Sequence, residues 1–206
     1  MIVRSKRIGT RTFHVTCKEE LAVAADSLLQ IFEELEQEEG HLKDGANIQV
    51  GWTILHLSQR GEDVAVMAPA YDKNPFVDKT DDLTASLFVQ LQQNYCLQRL
   101  QLEGEAACFQ DKIIAAKGVM DTERVYLERT QNGGDGDSGW YIGPVDGAVK
   151  DEDLEAYYIY QLLHLRPSLL QVLALPRGYM AVYDGDEIEA VLDAEDVNVW
   201  PSSDEA

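Results

Sequence analysis

Asn132-Gly133-Gly134-Asp135-Gly136-Asp137-Ser138-Gly139-Trp140-Tyr141-Ile142-Gly143 is a glycine- and aspartate-rich turn running straight into an aromatic strand. Its letters fit a serine nucleophile, a calcium loop, or a strand connection with no chemistry. The third reading follows from local physics. Glycines at 133, 134, 136 and 139 admit the positive φ that a tight connection needs. Asp137 can accept a hydrogen bond from amides just downstream in an Asx-type turn, which delivers Trp140 into the core.

The two chemical readings fail on what surrounds the turn. Gly136-Asp137-Ser138-Gly139 copies part of the signature around the nucleophile of trypsin-like serine proteases, but that chemistry needs a histidine base oriented by a buried aspartate. His14, His41, His56 and His164 are each isolated in the sequence, and His56 is expected at a strand surface. A calcium loop beginning at Asp135 would put Gly139 at its fifth position, where a side-chain oxygen is required. Adventitious ion binding by Asp135 and Asp137 stays open; no metal site or cofactor is expected.

Working outward, Thr12 to Val15 reads as a strand, and Thr16-Cys17-Lys18-Glu19 matches a capping box with Thr16 as N-cap. The helix behind it carries Leu21, Ala25, Leu28, Phe32 and Leu35 on one face and stops at Gly40. Ile48 to Leu57 and Asp63 to Ala70 form a strand pair around Ser58–Glu62. A second helix is expected from Thr80 with Leu83, Leu87, Leu91, Tyr95 and Leu102 inward. Gly104 marks a lobe boundary, giving an N-terminal lobe over 1–104, a second domain over 105–201 and a disordered tail over 202–206.

In the second domain, Lys112 to Met120, Thr122 to Thr130 and Trp140 to Ile142 read as strands. Asp151-Glu152-Asp153 reads as the cap of a helix reaching Leu165, a short helix follows Pro167, and Tyr179 to Leu192 forms a hairpin turning at Asp184-Gly185. The fold class is α+β, with mixed or antiparallel sheets and packed helices in two lobes.

Charge narrows the partners. The chain holds 17 Lys and Arg against 37 Asp and Glu, a formal net charge of -20. The excess is concentrated downstream: residues 105–206 carry 7 basic and 21 acidic side chains, and no Lys or Arg follows Arg177. Such a surface repels nucleic-acid phosphates and anionic lipid. It either keeps a cytosolic protein soluble or steers a basic protein toward it, and composition leaves both open. Three widely spaced cysteines, Cys17, Cys96 and Cys108, fit reduced buried thiols in a cytoplasmic protein rather than disulfides or zinc. No secretory signal or transmembrane stretch is visible.

Residues 105–200 carry an ordered set of motifs: Phe109-Gln110-Asp111-Lys112-Ile113, Asp137-Ser138-Gly139-Trp140, an acidic tyrosine-bearing segment from Asp151 to Tyr160, Arg166-Pro167-Ser168-Leu169-Leu170, and Leu175-Pro176-Arg177-Gly178. In this order they resemble the bacterial immunity protein thirty-three family. The resemblance implies a protein that neutralises a toxin of a bacterial polymorphic or contact-dependent system. With the reduced thiols and the missing catalytic motifs, the expectation is a cytoplasmic protein, not an enzyme, that blocks its cognate toxin by occlusion. The acidity adds that this toxin is basic. It supplies no catalytic residues; Gly136, Ser138, Gly139, Trp140, Pro176 and Gly178 are its structural signature. Candidate toxin-binding residues are Asp135, Asp137, Tyr157, Asp184, Asp186, Glu187 and Glu189. The alternatives are a hydrolase that reverses the toxin's product or modification, and a secretion-system adaptor or chaperone.

Overall fold

The computed structural model describes residues 1–39, 42–131, 134 and 136–201, in two compact units, Met1–Leu91 and Gln92–Ala206. Both are α+β, as expected. Gly40, Asp135 and the tail from Ser202 lie outside the described residues.

In the first unit, β1 (Ile2–Ile8) and β2 (Arg11–Cys17) are followed by a 3-10 turn, Glu19–Leu21, and α1 (Ala22–Glu39). Next come β3 (Asn47–Val50), β4 (Thr53–Arg60), β5 (Asp63–Pro69) and the short β6 (Lys79–Thr80). The sheet runs β1-β2-β5-β4-β3, with β6 paired to β5 and with β2 parallel to β5. Phe13, Val15, Leu28 and Phe32 meet Leu55, Leu57, Val64 and Val66 in its core. Arg4–Asp26 and Lys6–Glu33 ion pairs tie β1 to α1 at the core's edge.

Two local expectations give way here. Thr16 belongs to β2, so the capping box is absent; Lys18 precedes the 3-10 turn without a side-chain cap. Strand pairing across the whole of β2 outweighs a cap contact of about 1 kcal/mol. Ile48 to Leu57 is two strands rather than one. Gly51, at φ +57°, folds the chain back so that Val50 pairs with Thr53, and Trp52 turns inward to donate from Nε1 to the Ser86 carbonyl at 3.1 Å.

The helix α2 (Thr84–Leu100) begins four residues later than expected, where the Asp82 carboxylate accepts from the Thr84 amide at 2.9 Å. Leu83 and Leu87 are buried, but Leu91 and Tyr95 are exposed, so the expected inward stripe ends at Leu87. The boundary between the units falls inside α2. Residues 92–104 belong with the second unit: Gln93 is buried and donates to the Leu170 carbonyl, and the Leu97 side chain lies against Gly104.

The second unit holds β7 (Lys112–Ala116), β8 (Arg124–Arg129), β9 (Asp137–Pro144), β10 (Leu154–Tyr158), α3 (Leu162–Leu165), a 3-10 segment Pro167–Val172, β11 (Met180–Asp184) and β12 (Glu187–Leu192). Its sheet runs β10-β7-β9-β8-β11-β12, with β7 parallel to β9 and the other pairs antiparallel. One face carries Ile113, Trp140, Ile142, Leu127, Ala181 and Val191, all buried. The helical stretch 162–175 covers this face: Trp140 donates to the Leu173 carbonyl at 3.2 Å, and Tyr183 to the Ser168 carbonyl at 3.1 Å.

The helix expected from Asp151 to Leu165 is not there. Asp151–Asp153 make a single 3-10 turn, and Leu154–Tyr158 pair with β7 in the register Leu154↔Ala116 to Tyr158↔Lys112. Consecutive tyrosines suit a pleated, half-buried position better than a helix. Only the last four residues, Leu162–Leu165, are α-helical.

Candidate functional site

The signature tetrad is a bulge in β9. Lys112 pairs with Asp137 and Ile114 with Tyr141, so β9 fits four steps against two on β7. Each residue of the tetrad has a mechanical task. Asp137 Oδ1 accepts from the Gly139 amide at 2.9 Å, the anticipated Asx turn. The Ser138 hydroxyl donates to the Lys112 carbonyl at 2.7 Å and accepts from the Trp140 amide at 3.2 Å, standing in for the interrupted ladder. Gly139 holds φ +76° with the Arg177 guanidinium against its bare α-carbon. Trp140 is then 1% exposed, in the core.

Ser138 is itself only 2% exposed, and both its hydrogen bonds go to the main chain. That placement gives a nucleophile neither a base nor a route to substrate. Ser138→Ala is expected to lower stability by about 1–3 kcal/mol, since it leaves a buried carbonyl and amide unpaired. Urea unfolding would show it; an unchanged midpoint would remove the bulge-bracing role.

Behind the tetrad stands Arg129, 2% exposed, a residue that the sequence reading passed over. Its guanidinium donates to the carbonyls of Ser138, Glu105 and Leu175 and pairs with the Glu105 carboxylate at 3.4 Å, beside the Trp140 ring. Burial pulls its pKa below the ordinary value, and Glu105 opposes the shift. Arg177 joins from the far side, Nε to Glu105 at 2.8 Å. Gly178, at φ +87°, donates to the Arg129 carbonyl; Pro176 accepts from Tyr179. Of the signature residues, Ser138, Trp140 and Gly178 touch Arg129; Gly139 faces Arg177, Pro176 bonds Tyr179, and the Gly136 carbonyl accepts from the Lys112 amide.

The opposite face of the same sheet has a different character. Ile114, Tyr141, Glu128, Met180 and Leu192 stand in one cross-strand row by register. Gly143, Tyr126, Val182 and Ala190 form the next. All but Gly143 remain partly or fully open to solvent. The Tyr126 and Tyr141 rings lie 5.7 Å apart over Gly143, where an added Cβ would come within 2.8 Å of Tyr126 and 2.7 Å of Tyr141. Burial first, then Tyr141 and Glu128, push the Tyr126 phenol above its ordinary pKa. Alternation places Tyr141 opposite the core-facing Trp140, but the neighbours that join it on this face come from other strands and only the register assembles them.

At one end of that face is an acidic rim. Arg124 is held by Glu189 at 2.6 Å, with Asp184 and Asp146 also acting on its charge, and Glu187 pairs with Asp184 across the hairpin. Asp186 accepts from the Ser168 hydroxyl at 2.6 Å and lies 3.8 Å from the Arg166 Nε. Asp137 opens β9 at the other end of the sheet, roughly 20 Å away along the strand. Tyr157 lies near Asp137's end on the edge strand β10, its phenol pushed up to about 12, first by a hydrogen bond with Glu155. The seven candidate contact residues are therefore not one patch. Asp184, Glu187 and Glu189 come together; Asp137 and Tyr157 are remote from them, and Asp135 lies outside the described residues.

His14 is not isolated, contrary to expectation. Its Nδ1 is 2.8 Å from the Ser5 hydroxyl and its Nε2 2.9 Å from Asp63, across β1, β2 and β5. The three side chains form one hydrogen-bonded row on an exposed part of the sheet. His56 bonds Asn47 on the neighbouring strand. All three cysteines are free and buried, with burial raising each thiol and taking Cys96 to about 12. Among the described residues no cluster of three or more His, Cys, Asp or Glu could hold a metal ion, and no helix is long and apolar enough to cross a membrane.

By fold and surface this is an acidic α+β protein with a cation-braced core and an open, tyrosine-bearing sheet face. The chain belongs to the Imm33-like domain family, which matches residues 92–194, half of its length. The match begins at the first residue of the second unit, so the end of α2 is part of the family's domain. No curated protein and no solved structure matches the chain. Membership in an immunity family implies a toxin partner in general terms.

Proposed function

We propose that this protein is a bacterial immunity protein that binds a cognate toxin in the cytoplasm and neutralises it by occlusion. The family match over residues 92–194 carries the reading. The net charge of -20 adds the partner's chemistry: a basic protein, attracted at long range before contact. The bonding of Ser138 supports occlusion over a hydrolase built on that residue.

The test is co-expression with the protein encoded beside its gene, which the reading requires to be a toxin. Growth should be rescued, and purified toxin should bind the chain directly. Rescue without any complex would defeat occlusion, and no rescue would defeat the immunity reading. Raising salt from about 0.05 to 0.3 M should slow association on the order of tenfold and leave dissociation nearly unchanged, because screening acts on steering. A salt-independent on-rate would sink the basic-partner assignment.

A further inference from the structure

We propose that the open face of the second unit's sheet is where the toxin docks, with the Tyr126–Tyr141 pair as anchor and the acidic hairpin end as rim. This rests on the immunity reading above and names the surface through which it acts. A largely antiparallel sheet that faces water on one side ordinarily turns polar residues outward. Here two adjacent rows turn Ile114, Tyr141, Met180 and Tyr126, Val182, Ala190 outward, and each stays partly open to solvent. Six strands at about 4.8 Å make a platform roughly 25 Å wide, the scale of a standard interface side of about 800 Å².

The anchor is prepared in advance. Gly143 lets both rings settle on bare backbone, and the two tyrosines hold each other, so little side-chain freedom is lost on binding. Glu128 punctuates the first row, and Asp184, Glu189 and Asp146 act on Arg124 at the end of the face, with Glu187 across the hairpin from Asp184. Arg124 is already neutralised by Glu189. The charge left over is negative, which fits a cationic protein and opposes a second copy of this chain, since a twofold contact would set acid against acid.

The experiment uses the full chain and an inactive variant of the toxin encoded beside its gene. Tyr126→Lys and Tyr141→Lys should each weaken binding about 100-fold, chiefly through faster dissociation, as expected for central aromatic anchors. Glu128→Lys with Glu187→Lys should slow association instead. Val23→Lys, on exposed α1, should change neither rate. Wild-type affinity in both tyrosine variants would overturn the docking face and leave the immunity reading standing; absence of binding by the wild-type chain would overturn both.

Hydroxyl-radical footprinting of the wild-type complex covers the case in which a variant misfolds. Protection should centre on Tyr126, Tyr141 and Met180, and protection confined elsewhere would overturn the proposal. A homodimer that Tyr141→Lys dissolves would also overturn it, by assigning the face to a second copy.

Discussion

Trp140→Ala is expected to destabilise the second unit by about 3–5 kcal/mol, the range for deleting a large aromatic from a packed core. Two losses combine. The indole is 1% exposed, so its removal opens a cavity between β9 and the helical stretch 162–175. It also leaves the Leu173 carbonyl, which accepts from Nε1 at 3.2 Å, without that donor. Trp140→Phe should recover most of the packing but not the hydrogen bond, and cost about 1–3 kcal/mol. Hydrogen exchange at the Ile113, Ala115 and Leu127 amides would measure this in the second unit's own sheet. If the alanine variant lost less than about 1 kcal/mol, Trp140 would not be the keystone that its burial implies.

The contrast between Trp140 and Tyr141 explains how much the sequence could say. The Asp-Ser-Gly-Trp turn was legible because its forces are local: an Asx bond spanning two residues, a glycine at positive φ and an indole that must leave water. The same holds for the last hairpin, whose turn lies one residue beyond the expected Asp184-Gly185, at Gly185-Asp186, because Asp184 still pairs with Glu187. β10 was not legible, because Asp151-Glu152-Asp153 carries an honest helix-start signal and the pairing that overrides it lies across the chain, Leu154 to Ala116. Gly51 was hidden for a related reason. Strand-forming residues on both sides of it read as one strand, and only the register Val50↔Thr53 reveals two.

The surface was harder still. Acidic residues were visible one by one, yet whether Asp137 joins Asp184 or stands at the far end of the sheet depends on strand order. The open face combines residues of β7, β9, β8, β11 and β12, and no local pattern brings Ile114 beside Tyr141. Core identity could be guessed strand by strand. Which face stays uncovered could not, since β11 carries apolar side chains on both faces and β9 sets Tyr141 opposite Trp140 and Ile142.

Arg129→Met is expected to cost about 2–4 kcal/mol, and the reason separates two kinds of electrostatics. Replacing a buried ion pair by apolar groups can be neutral when both charges go. Here the partner carboxylate of Glu105 is 44% exposed and can return to water, so a stranded charge is not the main loss. The loss lies in the carbonyls of Ser138, Glu105 and Leu175, which come from three segments of chain and share one guanidinium: the bulge, the segment after α2 and the loop before Pro176. A lysine has no planar fork with which to bridge them, so Arg129→Lys should recover only part of the stability. Glu105→Gln tests the alternative directly. If the ion pair were the main term, it would cost as much as Arg129→Met; if the bracing of the main chain is, it should cost less than about 1 kcal/mol. Equal losses in urea unfolding of the two variants would reject the bracing account. With it would go the view that the signature around Trp140 exists to be held by a cation from behind.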